Sequence, residues 1–203
     1  MDLDKLFDFS RPELWVSAAS IAFNPVFWNI VAYNEYHHKL LTKLFGGNRH
    51  YGCYALAITI FSLGILRDIL YERALRSQPS DPALQTATVQ YISWGLFLTG
   101  NVLVLSSMWA LGVTGTYLGD YFGILMDEPV TSFPFSVTPA PMYHGSTLSF
   151  LGSALYFAKP AGVLLTVHVA VMYFFARRFE DPFTERIYRE REERRGAAGK
   201  KRA

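Results

Sequence analysis

The sequence predicts an all-α polytopic integral membrane protein, with about four spanning helices plus a kinked or re-entrant N-terminal helix. Three observations carry this expectation. Charged residues make up 18% of the 203 residues while 51% are apolar, and a soluble domain carries about 25% charged residues. The charges are also unevenly placed, with sixteen of the 36 in the last 27 residues. Finally, runs free of Asp, Glu, Lys and Arg cover Leu14–Asn34, Tyr51–Leu66, Pro82–Gly119, Pro129–Ala158 and Pro160–Ala176, the longest being 38 residues. A bilayer core of ~30 Å is crossed by ~20 apolar residues of helix, so runs of these lengths exclude an ordinary water-soluble domain.

The first run is helical in composition but holds Pro25 near its centre. Proline removes a backbone donor and bends a helix, so this segment either spans with a kink or dips in and returns. The loop 35–50 carries Lys39, Lys43 and Arg49 against Glu35. The second run stops at Leu66, before Arg67 and Asp68, and the stretch onward to Asp81 ends in a loop signature of Ser77, Pro79 and Pro82. The third run centres on 89–111 and contains small and hydroxyl residues that let helices approach closely in lipid. Glycines, Asp120 and aromatics then suggest an interfacial segment, and 131–143 is too proline-rich for a helix. Lys159-Pro160 divides the last stretch into halves of ~24 and ~26 Å at 1.5 Å per residue. A helical hairpin is preferred over one tilted helix with a lysine in the bilayer.

The chain reads as a single domain, 1–203, with a basic tail over 177–203 that carries +4 against −2 for the rest. Basic segments stay on the cytosolic side. This puts the tail, 35–50 and 114–142 there, with 72–88 and Lys159 on the other side. Six acidic residues interspersed in the tail argue against nucleic-acid binding. The acidic N-terminus and the long first run argue against a cleavable signal peptide. Cys53 is the sole cysteine, which excludes an intrachain disulfide and a multi-cysteine metal site. Its apolar setting makes it a packing residue. Adjacent His37 and His38 point apart on a helix, so with His50 they make no metal site.

Several polar groups sit where a membrane helix would rather have none. Thr99, Gly100 and Asn101 lie inside the third run; they either pack helices together or let a ligand approach backbone at Gly100. Glu180 and Asp181 follow the last run and read either as a solvated helix end or as a pair holding a cation or ribose hydroxyls. Asp120 is an interfacial aspartate or a carboxylate that binds an ammonium and takes its proton. Pro141-Met142-Tyr143-His144-Gly145 shapes a turn, with His144 able to titrate near neutrality. His168 reads as a buried hydrogen-bonding residue.

The segments FNPVFWNIVA (23–32), AITIFSLGILRD (57–68), VLVLSSM (102–108), LGVTGTYLGDYFGILMDEPVTSFPF (111–135), PMYHGSTLSFLGSALY (141–156), KPAG (159–162) and EDPFTERIY (180–188) extend over nearly the whole chain. In these the sequence resembles the phospholipid N-methyltransferase family. The resemblance implies S-adenosylmethionine-dependent methylation of the headgroup amine of phosphatidylethanolamine derivatives, ending at phosphatidylcholine. It implies a lipid substrate taken from the bilayer of the endoplasmic reticulum, with the tail cytosolic. It also assigns donor binding to Leu98, Thr99 and Gly100 with Glu180 and Asp181. The family's GxG is Leu98-Thr99-Gly100 here, so only its second glycine is present, and the acidic pair, commonly Glu-Glu, is Glu-Asp. Pro141, Tyr143 and Gly145 resemble the donor-binding element of isoprenylcysteine carboxyl methyltransferases. Within this reading Glu180 binds the donor, Tyr143 and Gly145 shape its pocket, Asp120 meets the amine, and His144 is the alternative base. The competing functions are a prenylcysteine carboxyl methyltransferase of the same superfamily and a non-enzymatic small transporter or tetraspan.

Overall fold

The structure is a computed structural model that describes residues 6–200, with side chains to Arg195; residues 1–5 and 201–203, which hold the ends of the acidic N-terminus and the basic tail, lie outside the described residues. Six α-helices follow one another: α1 (Pro12–His38), α2 (Leu40–Leu44), α3 (Arg49–Ser77), α4 (Ala87–Thr116), α5 (Pro141–Tyr156) and α6 (Pro160–Lys200). No strand occurs among the described residues. Four helices, α1, α3, α4 and α6, are long and apolar enough to cross a bilayer. Their outward faces carry bulky apolar side chains such as Trp109, 90% exposed, Ile58 and Phe174. Such a surface suits lipid, whereas a soluble protein rarely exposes so continuous an apolar belt.

Local chemistry explains where these helices begin and end. Pro12 and Pro141 open α1 and α5, where a missing N–H costs nothing. Asn48 caps α3 by accepting from the amides of His50 and Tyr51, and Thr86 caps α4 by accepting from Val89. Glu35 closes the corner between α1 and α2. Its carboxylate is fully buried and accepts from the amides of Leu41 and Thr42 at 2.7 and 3.1 Å. What the sequence presents as a counter-charge in a basic loop is thus a helix cap.

One alternative is decided and one expectation changes in the structure. Of the two N-terminal readings the structure takes the spanning one: α1 runs continuously through Pro25, and the Pro25 carbonyl accepts from Asn29 Nδ2 at 2.9 Å. The second helix does not stop at the charges that end its apolar run. It continues past Arg67 and Asp68 to Ser77, because the neighbouring helices supply partners for both polar and apolar groups there. The charged tail, over 177–200, extends α6 without a break.

The hairpin at Lys159-Pro160 is present. Ala158 adopts the left-handed region at φ 53, α5 ends at Tyr156 and α6 begins at Pro160. The connectors also fall on two ends, grouped as the sequence groups them. At one end Arg49 Nη1 donates to the Gly123 carbonyl at 3.0 Å, and Arg191 Nη1 donates to the Met126 carbonyl at 2.6 Å. At the other, Lys159 Nζ donates to the Gln78 carbonyl at 2.6 Å, and the Asp81 amide donates to Ala158 at 2.9 Å. Partial burial holds the Lys159 ammonium below the ordinary lysine range.

α4 and α5 form the most extensive helix pair and run antiparallel, whereas α3 and α4 barely touch. Glycine is the reason for the first. A methyl group on Gly100 would strike the Gly145 carbonyl oxygen and Ser149 Oγ. One on Gly145 would lie 2.6 Å from the Gly100 carbonyl oxygen and 2.9 Å from Leu103 Cβ. The two backbones meet because neither residue has a Cβ. Cys53 is fully buried in a small core with Leu56, Tyr121 and Phe122, as its apolar run implies. His168 is half-buried and hydrogen-bonds the Ala18 carbonyl at 3.1 Å.

Gly100→Ala should lower the melting temperature of the detergent-solubilised protein by several degrees. Overpacking costs about 1–3 kcal/mol, which outweighs the ~1 kcal/mol that alanine gains over glycine in a helix. Gly95→Ala meets nothing within 4 Å and should leave the melting temperature unchanged or slightly raised.

Candidate active site

The weak α3–α4 contact leaves a cavity of about 1040 Å³, lined also by α5 and α6 and by the connector after α4. Six carboxylates line it (Asp68, Glu72, Asp120, Glu180, Asp181 and Glu185), against two arginines, Arg67 and Arg177. Its walls between these groups are largely apolar and aromatic, including Ile60, Phe61, Phe97, Val104 and Met108. A cavity so composed accepts a molecule that is part cation and part hydrocarbon.

Glu180 sits at the best-organised part of this cavity. Its carboxylate is buried and receives three side-chain hydrogen bonds: from Trp28 Nε1 at 2.7 Å, from Asn29 Nδ2 at 2.8 Å and from the Tyr143 hydroxyl. Three charge-assisted bonds from two other helices hold it in one orientation. Pro182 lies two residues on and withholds the N–H that would meet the Arg178 carbonyl in an unbroken helix. Asp181 also lines the cavity, but it is half-exposed and pairs with Arg177 Nη2 at 2.8 Å. The two acids therefore differ in kind: one is locked inside, the other is screened by water.

Asp120 lies in a short 3-10 turn, Gly119–Phe122, that follows α4. Its carboxylate accepts from Thr184 Oγ1 at 2.7 Å and from the Tyr121 amide at 3.1 Å. Thr184 is one helical turn beyond Glu180 on α6, so Asp120 and Glu180 face the same end of the cavity. Tyr143 lies between this end and the deeper part. Its ring packs edge-on against Tyr173, with centroids 4.9 Å apart, and Tyr173 OH meets Ser146 Oγ at 3.0 Å.

The remaining sequence candidates are distributed differently. Pro141 lines the cavity. Gly145 does not, and serves the α4–α5 contact with Gly100. Leu98 and Thr99 are exposed on the outer side of α4, inside a continuous helix, and the cavity is lined instead by their neighbours Phe97 and Asn101. The 98–100 segment is thus a helix interior, not a glycine loop. His144 is exposed, shares a 2.5 Å hydrogen bond with Thr138 and does not line the cavity. Sequence reasoning missed Trp28, Asn29, Tyr173 and Thr184. The available signals were Asn29, one of the few amides in an apolar run, and the presence of Trp28, Asn29 and Thr184 within the segments that carry the family resemblance.

Two buried polar atoms that line this cavity have no hydrogen-bond partner, Thr116 Oγ1 and Arg177 Nε. Buried polar atoms are normally paired, so both are exceptions at the cavity wall.

Glu180→Ala should leave the Trp28 and Tyr143 donors unpaired, and Asn29 with its Pro25 bond alone. Each costs about 1–3 kcal/mol, a loss that thermal unfolding reads as a clear fall in melting temperature. Asp181→Ala breaks only a half-exposed pair and should cost at most ~1 kcal/mol.

A family model described as phospholipid methyltransferase matches residues 89–191. A phosphatidyl-N-methylethanolamine N-methyltransferase of Neurospora crassa is 59% identical over 199 residues, covering 98% of this chain and 93% of that protein. The Saccharomyces cerevisiae protein of the same description is 56% identical over 185 residues, 91% of this chain and 89% of its own length. A phosphatidylethanolamine N-methyltransferase of Mus musculus is 47% identical over 184 residues, 91% and 92% of the two chains. No solved structure matches the chain significantly.

Proposed function

Because this chain belongs to the phospholipid methyltransferase family, we propose that it N-methylates the headgroup amine of phosphatidylethanolamine derivatives, through the mono- and dimethyl lipids to phosphatidylcholine. The observation that carries the mechanism is one cavity that joins Asp120, Glu180, Asp181 and Glu185 at its polar end to an apolar flank between α3 and α4. A lipid can enter it sideways from the bilayer while a water-soluble donor enters from the polar end.

The methyl donor we propose is S-adenosylmethionine, which supplies an electrophilic methyl group on a sulfonium. The residues present fit it. The excess of carboxylates over arginines suits a donor with a sulfonium and an ammonium. Glu180, oriented by Trp28, Asn29 and Tyr143, would hold its polar groups, with Asp181 and Pro141 beside it. Gly100 and Gly145 contribute indirectly: by seating α5 against α4 they aim Tyr143 at the cavity. Leu98 and Thr99 contribute only as part of that helix.

The headgroup amine must lose a proton before its lone pair can attack carbon. We assign this to Asp120, whose carboxylate lines the cavity and is steadied by Thr184. It pairs with the ammonium and takes its proton. His144, the other candidate base, is turned to Thr138 outside the cavity. Proximity supplies much of the remaining acceleration, because two bound reactants need no further encounter.

The basic α6 extension and the Lys39–Arg49 corner share one end of the molecule, which supports a cytosolic placement of that end in the endoplasmic reticulum membrane. Protease added to sealed microsomes should remove a tag at the C-terminus and spare one at the N-terminus.

Donor-dependent methylation of the monomethyl lipid by the purified protein is the direct test of function, and a prenylcysteine substrate should not be methylated. Donor affinity should fall in Glu180→Ala; an unchanged affinity would remove its role. Asp120→Asn should lose about 10²–10⁴-fold in rate, whereas His144→Asn stays near wild type. The reverse pattern would reassign the base.

A further inference from the structure

Arg67 lies far from any helix end. It is eighteen residues into α3, on a helix that crosses the bilayer, and its side chain is only 13% exposed. An arginine inside a membrane span is costly and signals a site rather than a surface. Its guanidinium stacks over the Phe150 ring at 4.8 Å. Nη1 donates to Tyr173 OH at 2.7 Å, and Nε and Nη2 donate to Asp68 Oδ1 at 3.0 and 2.9 Å. Three of its five N–H donors are thereby engaged, leaving two for a ligand. It lines the same cavity as Glu180 and Asp120.

Its depth is the informative feature. The Tyr173 hydroxyl that holds Arg67 belongs to a residue seven positions before Glu180 on α6, about 10 Å deeper along the axis. The cavity is therefore graded: Asp120, Glu180, Asp181 and Glu185 at the polar end, a fixed guanidinium below them with Asp68 and Glu72 beside it on α3, and apolar α3 and α4 side chains alongside. A glycerophospholipid in a leaflet carries its charges in that same order. Its ammonium is outermost, its phosphodiester anion lies one short linker deeper, and its acyl chains lie below.

Resting on the phospholipid reading above, we propose that Arg67 binds the phosphodiester of the lipid substrate and so sets the headgroup amine at the Asp120 end of the cavity. Phe150, Tyr173 and Asp68 hold the planar fork in place, and the fork suits a phosphate's paired oxygens better than an ammonium does. The residue then selects for an amine carried on a phosphodiester, not for any lipid amine.

The test compares dioctanoyl phosphatidyl-N-methylethanolamine with its phosphate methyl triester, which is neutral at phosphorus, both in detergent micelles with the full chain and saturating S-adenosylmethionine. Wild type should prefer the diester by at least about tenfold in kcat/KM, the value of a charge-assisted hydrogen bond. In R67Q the KM for the diester should rise by a similar factor, the preference should collapse toward one, and the donor KM should stay unchanged. A merely structural arginine would lower both lipids' rates alike and keep the preference. That result, or a wild type indifferent to the two lipids, overturns the assignment. If thermal unfolding shows that R67Q does not fold, R67K carries the test: it keeps the charge without the fork, and its preference should fall several-fold and not remain at the wild-type value. Failure of wild type to methylate either lipid would instead sink the phospholipid reading itself.

Discussion

The Glu180 carboxylate is the point on which the site depends. It draws hydrogen bonds from α1 through Trp28 and Asn29 and from α5 through Tyr143, so three helices are tied at one buried anion. Water is scarce at that depth, and an anion left without partners there would be expensive. The same bonds that make its burial tolerable therefore fix the angle at which α1 and α5 approach α6. Any ligand that binds beside Glu180 meets an acceptor already oriented, which is what preorganisation requires.

Two opposite packing choices build the space around it. Gly100 and Gly145 bring α4 and α5 into backbone contact, while α3 and α4 stay apart. Close packing on one side rigidifies the wall that carries Tyr143 and Ser146. Loose packing on the other leaves an apolar opening toward lipid. Both follow from side-chain size on α4, a helix that presents small residues such as Gly100 and Ser107 inward and bulky ones such as Trp109 and Leu105 outward. The polar end is closed by Asp120 and Thr184, held by a 3-10 turn that only a connector after α4 can supply.

Much of this was legible from the sequence, and the exceptions share one cause. The hairpin at Lys159-Pro160, the pairing of connectors at each end and the packing role of Cys53 follow from local patterns. Pro25 left a kinked span and a re-entrant turn both open, because a proline's missing bond is tolerable when neighbouring helices hold the segment, and only the neighbours decide between them. Arg67 and Asp68 marked the end of an apolar run but not of a helix, because Tyr173 and Phe150 receive Arg67 and Arg67 in turn pairs Asp68. Leu98 and Thr99 lie next to a functional position yet point away from it, since adjacent helical residues face about 100° apart. Trp28 read as another apolar aromatic until its indole N–H found Glu180.

By itself the sequence determined the solvent of this protein, the number and order of its long helices, which end gathers basic charge, and the family whose residues recur along it. Those are properties of run length and composition, and they need no knowledge of which residues meet. The tertiary structure alone decided that Glu180 is locked and Asp181 half-exposed, that Gly100 meets Gly145, and that Arg67 shares one cavity with Asp120 and Glu180. The physical reason is separation along the chain. Glu180 finds its partners 152, 151 and 37 positions away, and no local periodicity specifies a hydrogen bond across such distances.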